Sequence, residues 1–389
     1  MSEKPYFDAL SQALSDAGRF QPSIVIDRDR LDANIALVRA GLYPGRALRL
    51  VDKSLPSLPL ISRLMQGLGT RLIMTFHLPI TRAVLSAFPD VRLLFGKPMP
   101  VAGLAHVLNQ ADAQLRLAFS ERVTLLVDSM ERLAAYSALA AQLDLPLRFA
   151  AEIDIGMHRG GFADPGALSA ALATIAADPL LKCDGVMGYE AHIPKIPGFA
   201  GGAIGERRRV LARYDDFVSV LGADQRRIVN IGGSNTALGY DGDCAANEMS
   251  MGSGFVLPTD FDGGDLTSLK PAVFIATPAL KIVDAQLPGP SLVTSALQAI
   301  GKFPRKGCFI YGGKWMARPV HPQGMVESAL WGHSSNQQFM ALPENSDLRQ
   351  DELVFFRPTQ SEAALQQFGA IAVYSNGKIV EEWQPMPLG

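Results

Sequence analysis

Eight short apolar runs recur between residues 46 and 254: RALRLVDK, TRLIMTF, VRLLFGK, RVTLLVDS, LRFAAEIDIG, CDGVMGYEA, RRIVNIGG and NEMSMGSG. Most are separated by amphipathic stretches such as SLPLISRLMQGL, MERLAAYSALAAQL and DPGALSAALATIAA, with apolar residues at helical spacing. Strands that stay apolar without alternation are buried on both faces, as in a parallel sheet covered by helices. Eight of them in a segment near the usual length of the fold predict an α/β architecture, a (β/α)8 TIM-like barrel. An open doubly wound sheet is the structural rival, because periodicity alone does not separate the two. Between the seventh and eighth runs the gap is too short for a full helix, and there the alternation fails.

On either side the texture changes. PSIVIDR, Pro22 to Arg28, reads as a strand, and LDANIALVRAGL after it as a helix. Beyond Pro258 glycine and proline become frequent, and GCFIYGG, DELVFFRP and AIAVYSNGKIVEEW read as short strands joined by turns, with Asn376-Gly377 as a hairpin signal. The expected organisation is a barrel of residues 30–258 beside an all-β C-terminal domain of residues 259–389, which residues 1–29 join through the strand near Ile24.

A chain of 389 residues is long enough for both parts. Its formal net charge of -2 offers no general basic surface, so nucleic acid is not an expected partner. No apolar run approaches the ~18 residues that cross a bilayer, which argues against a membrane protein. The polar, acid-containing stretch MSEKPYFDALSQALSDAGRF resembles neither a secretory signal nor a transit peptide. Cys183, Cys244 and Cys308 are far apart and free of CxxC spacing, which points to a reducing compartment without disulfides or structural zinc. A cytoplasmic protein is expected.

Chemistry enters where polar residues end the apolar runs, because barrel active sites sit at the carboxyl ends of the strands. Lys53 ends the first run, Asp154 with His158 and Arg159 the fifth, and Tyr189, Glu190 and His192 the sixth. GGSNT, Gly232 to Thr236, ends the seventh; Glu248 and MGSG, Met251 to Gly254, end the eighth. Singly, each has an ordinary explanation as a loop, a strand-end charge or a surface histidine. Jointly, two glycine-serine turns offer backbone N–H groups and hydroxyls to a phosphate, and a lysine amine stands at another strand end of the same mouth. That combination suits pyridoxal 5'-phosphate, bound by its aldehyde and by its phosphate. Arg49, together with desolvation, is expected to make the Lys53 amine easier to deprotonate.

These residues resemble the fold-type III pyridoxal-phosphate enzymes, and within them the D-threonine aldolase and D-serine dehydratase group, which shares the alanine racemase-like N-terminal domain. The resemblance rests on RLVDK, with Arg49 four residues before the Schiff-base lysine Lys53; on D-x-G-x-x-R-x-G at Asp154, Gly156, Arg159 and Gly161; and on the G-Y-E-G-H segment at Gly188, Tyr189, Glu190 and His192, with Ala191 in place of the second glycine. It rests also on the phosphate turn Gly232, Gly233, Ser234, continued by Asn235 and Thr236, and on Glu248 with Gly252, Ser253 and Gly254. The resemblance implies that Arg49, Lys53, Arg159, Tyr189 and both turns bind the cofactor, and that the enzyme is a homodimer acting on a small amino acid. It also implies a metal pair in the last domain, but Gln360 and Glu362 stand in those places and Gln337 and Gln338 upstream. Glutamine is a poor ligand for a transition ion, so no metal is expected.

The expected activity is a pyridoxal-phosphate-dependent lyase acting on D-amino acids, first as an aldolase of β-hydroxy-D-amino acids, with His192 and His333 as candidate bases. A D-serine or 3-hydroxy-D-amino acid dehydratase and a racemase are the alternatives within the family. A non-catalytic pyridoxal-phosphate carrier or regulator, and an unrelated barrel enzyme for phosphate-bearing substrates, are the alternatives outside it.

Overall fold

The computed structural model describes residues 3–386. All eight apolar runs are strands of one closed parallel barrel: β2 Ala47–Val51, β3 Leu72–Thr75, β4 Arg92–Phe95, β5 Val123–Val127, β6 Leu147–Ile153, β7 Leu181–Gly188, β8 Ile228–Ile231 and β9 Glu248–Met251. Closure is direct, since β2 pairs in parallel with both β3 and β9. The open-sheet rival is thereby excluded.

The helices start and stop where local chemistry allows. α3, Leu58–Leu68, buries Leu60, Ile61, Leu64 and Met65 as one stripe and ends on Gly69 at φ 67°, a left-handed position suited to glycine. In α7, Met130–Leu143, the Ser129 hydroxyl caps the Arg132 amide; in α8, Pro165–Ile175, the Asp164 carboxylate caps that of Ala167. α2 Arg28–Gly41 enters the barrel unit from Ile35, and α4 Leu78–Ala87, α5 Val101–Gln110, α6 Ala113–Arg122 and α9 Gly202–Ser219 lie between its strands. Between β8 and β9 there is no α-helix: residues 232–247 form turns, which explains the short seventh gap.

By contact the barrel unit comprises Ile35–Gly254, Gly263–Ser268 and Met386. The other unit comprises residues 3–34, Phe255–Asp262 and Leu269–Pro385. Its sheet carries β1 Ser23–Asp27 in the middle, antiparallel to β10 Val273–Asp284 and parallel to β16 Ile371–Ser375. β11 Lys306–Tyr311, β12 Ala317–His321, β13 Val326–Glu327, β14 Gln337–Leu342, β15 Leu353–Pro358 and β17 Lys378–Trp383 complete it. Asn376 and Gly377, both at positive φ, turn β16 into β17 as the dipeptide predicts. The core of this unit packs Phe7, Leu10 and Leu14 of α1, Lys4–Asp16, on Val25, Phe274 and Phe355. Among the described residues no helix is long and apolar enough to cross a membrane.

Candidate active site

β2 delivers Lys53 on a single 3-10 turn, Asp52–Ser54, directly after the strand. The Lys53 Nζ lies 4.8 Å from the centroid of the Phe76 ring, just past the end of β3, within range of a cation–π contact. Gly96 makes room for that ring: a Cβ there would stand 2.3 Å from Phe76 Cζ. Asp52, beside Lys53, is fully buried, and neither carboxylate oxygen makes a well-formed hydrogen bond. Burial pushes its carboxyl up to about 7, against the smaller opposing pull of the Thr75 hydroxyl and of Lys53, both close by.

The two glycine turns are bound to each other and to this strand end. Gly252 lies so near β2 that a Cβ would stand 2.8 Å from Val51 Cβ and 3.0 Å from Ser54 Cβ. Ser234 Oγ accepts the amides of Gly252 at 3.3 Å and Gly254 at 3.0 Å. Ser253, between those two glycines, is buried. Gly232 takes φ 98° and donates its amide to Glu190 Oε2 at 3.2 Å, while the Gly233 amide donates to Thr236 Oγ1 at 3.0 Å. Thr236 in turn donates to Glu190 Oε1 at 2.6 Å, and the Tyr240 hydroxyl donates there at 2.8 Å. Glu190 is fully buried, and burial raises its carboxyl despite these three donors.

This division of labour differs from the expectation that every member of the turns faces a phosphate. The amides of Gly232, Gly233, Gly252 and Gly254 and the Thr236 hydroxyl are committed within the protein. Among the described residues, the consecutive amides of Ser234 and Asn235 donate to no acceptor. They open a helix-like turn in which Thr236 and Ala237 donate back to the Gly233 carbonyl, a geometry suited to an anion.

Opposite stands an aromatic wall. A Cβ on Gly233 would meet Tyr189 Cε2 at 2.9 Å, and the Arg159 guanidinium carbon lies 5.0 Å from the Tyr189 ring centroid. Arg159 Nη2 also approaches Glu152 at 3.8 Å. His158, at φ 51°, pairs its Nδ1 with Asp154 Oδ2 at 2.7 Å. Burial works to raise the Asp154 carboxyl, but the bonds from His158 and Gly156 outweigh it and leave it below its ordinary value. His192 Nε2 contacts Glu206 Oε1 at 3.0 Å, and its Nδ1 is buried without a hydrogen-bond partner.

The structure does not bring Arg49 to Lys53. Its Nε and Nη2 clasp Glu248 at 2.6 and 2.8 Å, and its Nη1 donates to the carbonyls of Ile73 at 3.0 Å and Arg92 at 3.2 Å. It lines a cavity together with residues that open β2, β3, β4, β8 and β9, at the amino end of the barrel. The expected role beside the cofactor amine is therefore corrected: the guanidinium is spent in the barrel interior.

His333 lies in the β unit, half-exposed, with Nδ1 4.0 Å from Glu327. Gln360 Nε2 donates to Asp260 at 3.2 Å just before α11, Ser361–Ala364, which carries Glu362. Gln337 accepts from Lys281 at 3.0 Å, and Gln338 donates to Glu327 at 3.0 Å. Among the described residues no group of three or more His, Cys, Asp or Glu could hold a metal ion.

Residues 26–258 match the family model of the alanine racemase N-terminal domain. The chain belongs to that family. Over 138 residues it is 31% identical to an alanine racemase of Limosilactobacillus fermentum, an alignment covering 35% of each protein and so about a third of that relative's length. In fold it resembles a D-threonine aldolase from Filomicrobium marinum, with TM-score 0.70 and 15% identity over 93% of this chain and 94% of that one. It equally resembles the D-threo-3-hydroxyaspartate dehydratase of Delftia sp. HT23, with TM-score 0.68 and 19% identity over 94% and 97%. Such identities establish the shared fold.

The cofactor of this alanine racemase-like family is pyridoxal 5'-phosphate, and the residues present fit it. Lys53 would supply an amine, Ser234 and Asn235 amides that donate to no acceptor among the described residues, and Tyr189 with Arg159 a wall. Sequence reasoning passed over Phe76, Asp52, Glu206 and Tyr240. Phe76 ends the second apolar run as Lys53 ends the first, so the strand-end rule extended to aromatic residues would have found it.

Proposed function

We propose that this chain is a pyridoxal-phosphate-dependent enzyme acting on D-amino acids, and that it cleaves a β-hydroxy-D-amino acid by the aldol route. The observation that carries the reading is the closure of the Gly252 turn on Val51 and Ser54, which flank Lys53. Ser234 joins the two glycine turns, which supports an anion cradle serving the same strand end as the amine.

Lys53 Nζ would hold the cofactor and exchange it for the substrate amine, and the Ser234 and Asn235 amides would hold the phosphate. Pyridoxal phosphate, when bound, supplies the electron sink for negative charge at the substrate α-carbon. Aldol cleavage also needs a base for the β-hydroxyl proton. His192 is the first candidate, because Glu206 holds Nε2 and leaves Nδ1 as the nitrogen that can take a proton. His333, beside Glu327 in the β unit, is the second.

The test is a product assay on the loaded enzyme with D-threonine, D-serine and D-alanine. Glycine and acetaldehyde from D-threonine are expected. Keto acid and ammonia, or the opposite enantiomer, would replace the aldolase by a dehydratase or a racemase. Persistence of all three substrates with cofactor bound would make the protein a carrier. We also propose a cytoplasmic homodimer. Its three cysteines, all free and buried, support the reducing compartment, and a sedimentation mass of two chains tests the assembly.

A further inference from the structure

A net charge of -2 conceals a basic pole at the opposite end of the barrel from Lys53. Several barrel strands begin on or just after an arginine, and most of these guanidiniums are spent. Arg46, Arg122 and Arg226 donate to carbonyls, for example of Cys244 at 2.9 Å, Phe88 at 3.2 Å and Val218 at 3.1 Å. Arg148 clasps Asp184, with Nε at 2.8 Å, and Arg49 clasps Glu248.

Two guanidiniums are left over. Arg92 is exposed, and among the described residues its side chain makes no hydrogen bond or ion pair. Arg227 reaches only an Asp184 oxygen at 3.5 Å, and Arg148 already holds that oxygen. Both line one cavity of about 210 Å³ at the strands' amino ends, with Arg49, Thr124, Asn247 and Glu248. The neighbouring carboxylates are consumed: Asp184 also accepts the Thr124 hydroxyl at 2.6 Å, and Glu248 the Asn230 amide at 3.0 Å.

We propose that this cavity binds a small dianion, a phosphate or a dicarboxylate, between Arg92 and Arg227. Three guanidiniums, of Arg49, Arg92 and Arg227, line it against one carboxylate, Glu248, and the Arg148–Asp184 pair beside it is already balanced, which leaves a surplus of positive charge. Burial, and beyond the opposing pull of Asp184 the charges of Arg148, Arg92 and Arg49, hold the Arg227 pKa below its ordinary value, so these groups feel one another. A divalent oxyanion relieves that repulsion, and the planar fork of a guanidinium matches phosphate and carboxylate alike. The cavity is large enough for either ligand.

The experiment is thermal denaturation of the cofactor-loaded protein in inorganic phosphate, in malonate and in chloride at matched ionic strength. The expected result is a saturable rise in Tm of about 2 °C over chloride in at least one of the first two, and the arm that responds names the ligand class. Arg92→Ala and Arg227→Ala should each abolish the rise, and Arg122→Ala, outside the cavity, should keep it. Because the Arg92 side chain has no partner to lose, its variant is expected to fold. A response no greater than that to chloride, or one that survives Arg92→Ala, overturns the proposal. The Arg92 comparison holds whether or not Lys53 carries cofactor.

Discussion

Ser234 Oγ accepts the Gly254 amide at 3.0 Å, joining the turn after β8 to the turn after β9. It accepts the Gly252 amide as well, so one hydroxyl oxygen fixes the spacing of the cradle. Ser234→Ala strands both amides in a buried place, at about 1–3 kcal/mol. Cofactor affinity of the apoenzyme, followed by absorbance titration, should fall about tenfold or more. An unchanged affinity would mean that the two turns hold their positions without this link.

Glu190 accepts three hydrogen bonds from Gly232, Thr236 and Tyr240 in a fully buried place. Glu190→Gln turns one acceptor into a donor aimed at donors, which should cost about 2–3 kcal/mol. Chemical denaturation checks it, and a loss below about 0.5 kcal/mol would contradict the arrangement.

Asp52 gives the chain a dependence on pH. Burial raises its folded carboxyl to about 7 from the ordinary 3.8, so the folded state keeps the proton to higher pH than the unfolded state. That contribution is fully present below the unfolded value, declines as pH rises toward about 7, and is gone above it. Asp52→Asn should therefore be the more stable protein above about pH 7, by a few kcal/mol, with the advantage vanishing near pH 4. Denaturation midpoints across that window decide it; a difference independent of pH would show that Asp52 is not the group responsible.

Arg49 and Glu248 form a buried ion pair in the barrel interior. Glu248→Gln leaves the guanidinium without its counter-charge and should cost about 3–5 kcal/mol. Arg49→Met should likewise lower stability, yet leave cofactor affinity within about twofold, because Arg49 is turned away from Lys53. A large loss of affinity with intact stability would restore Arg49 to the cofactor site.

Much of this was legible in the sequence because burial on both faces writes barrel strands as plain apolar runs. The eight runs are the eight strands, and the missing seventh helix was visible as a short gap. Lys53, Arg159, Tyr189 and the glycine turns were picked out as candidates because polar residues at strand ends have one mouth to face. Arg49 was misplaced for a geometric reason: it sits inside β2 with its side chain among residues at the strands' amino ends, whereas Lys53 follows the carboxyl end of the strand on a 3-10 turn. Nor can spacing say which partners a turn will satisfy. That Glu190 takes the Gly232 amide and Thr236 the Gly233 amide depends on strands β7 and β8 lying side by side. His333 was proposed by residue type alone, and its Nδ1 lies 4.0 Å from Glu327.

The most direct test of the central claim is borohydride reduction of the cofactor-loaded protein followed by peptide mass mapping. A reduced pyridoxyl group on Lys53, and loss of that label in Lys53→Ala, is the predicted result. Label on another lysine, or cofactor that washes away after reduction, would contradict it.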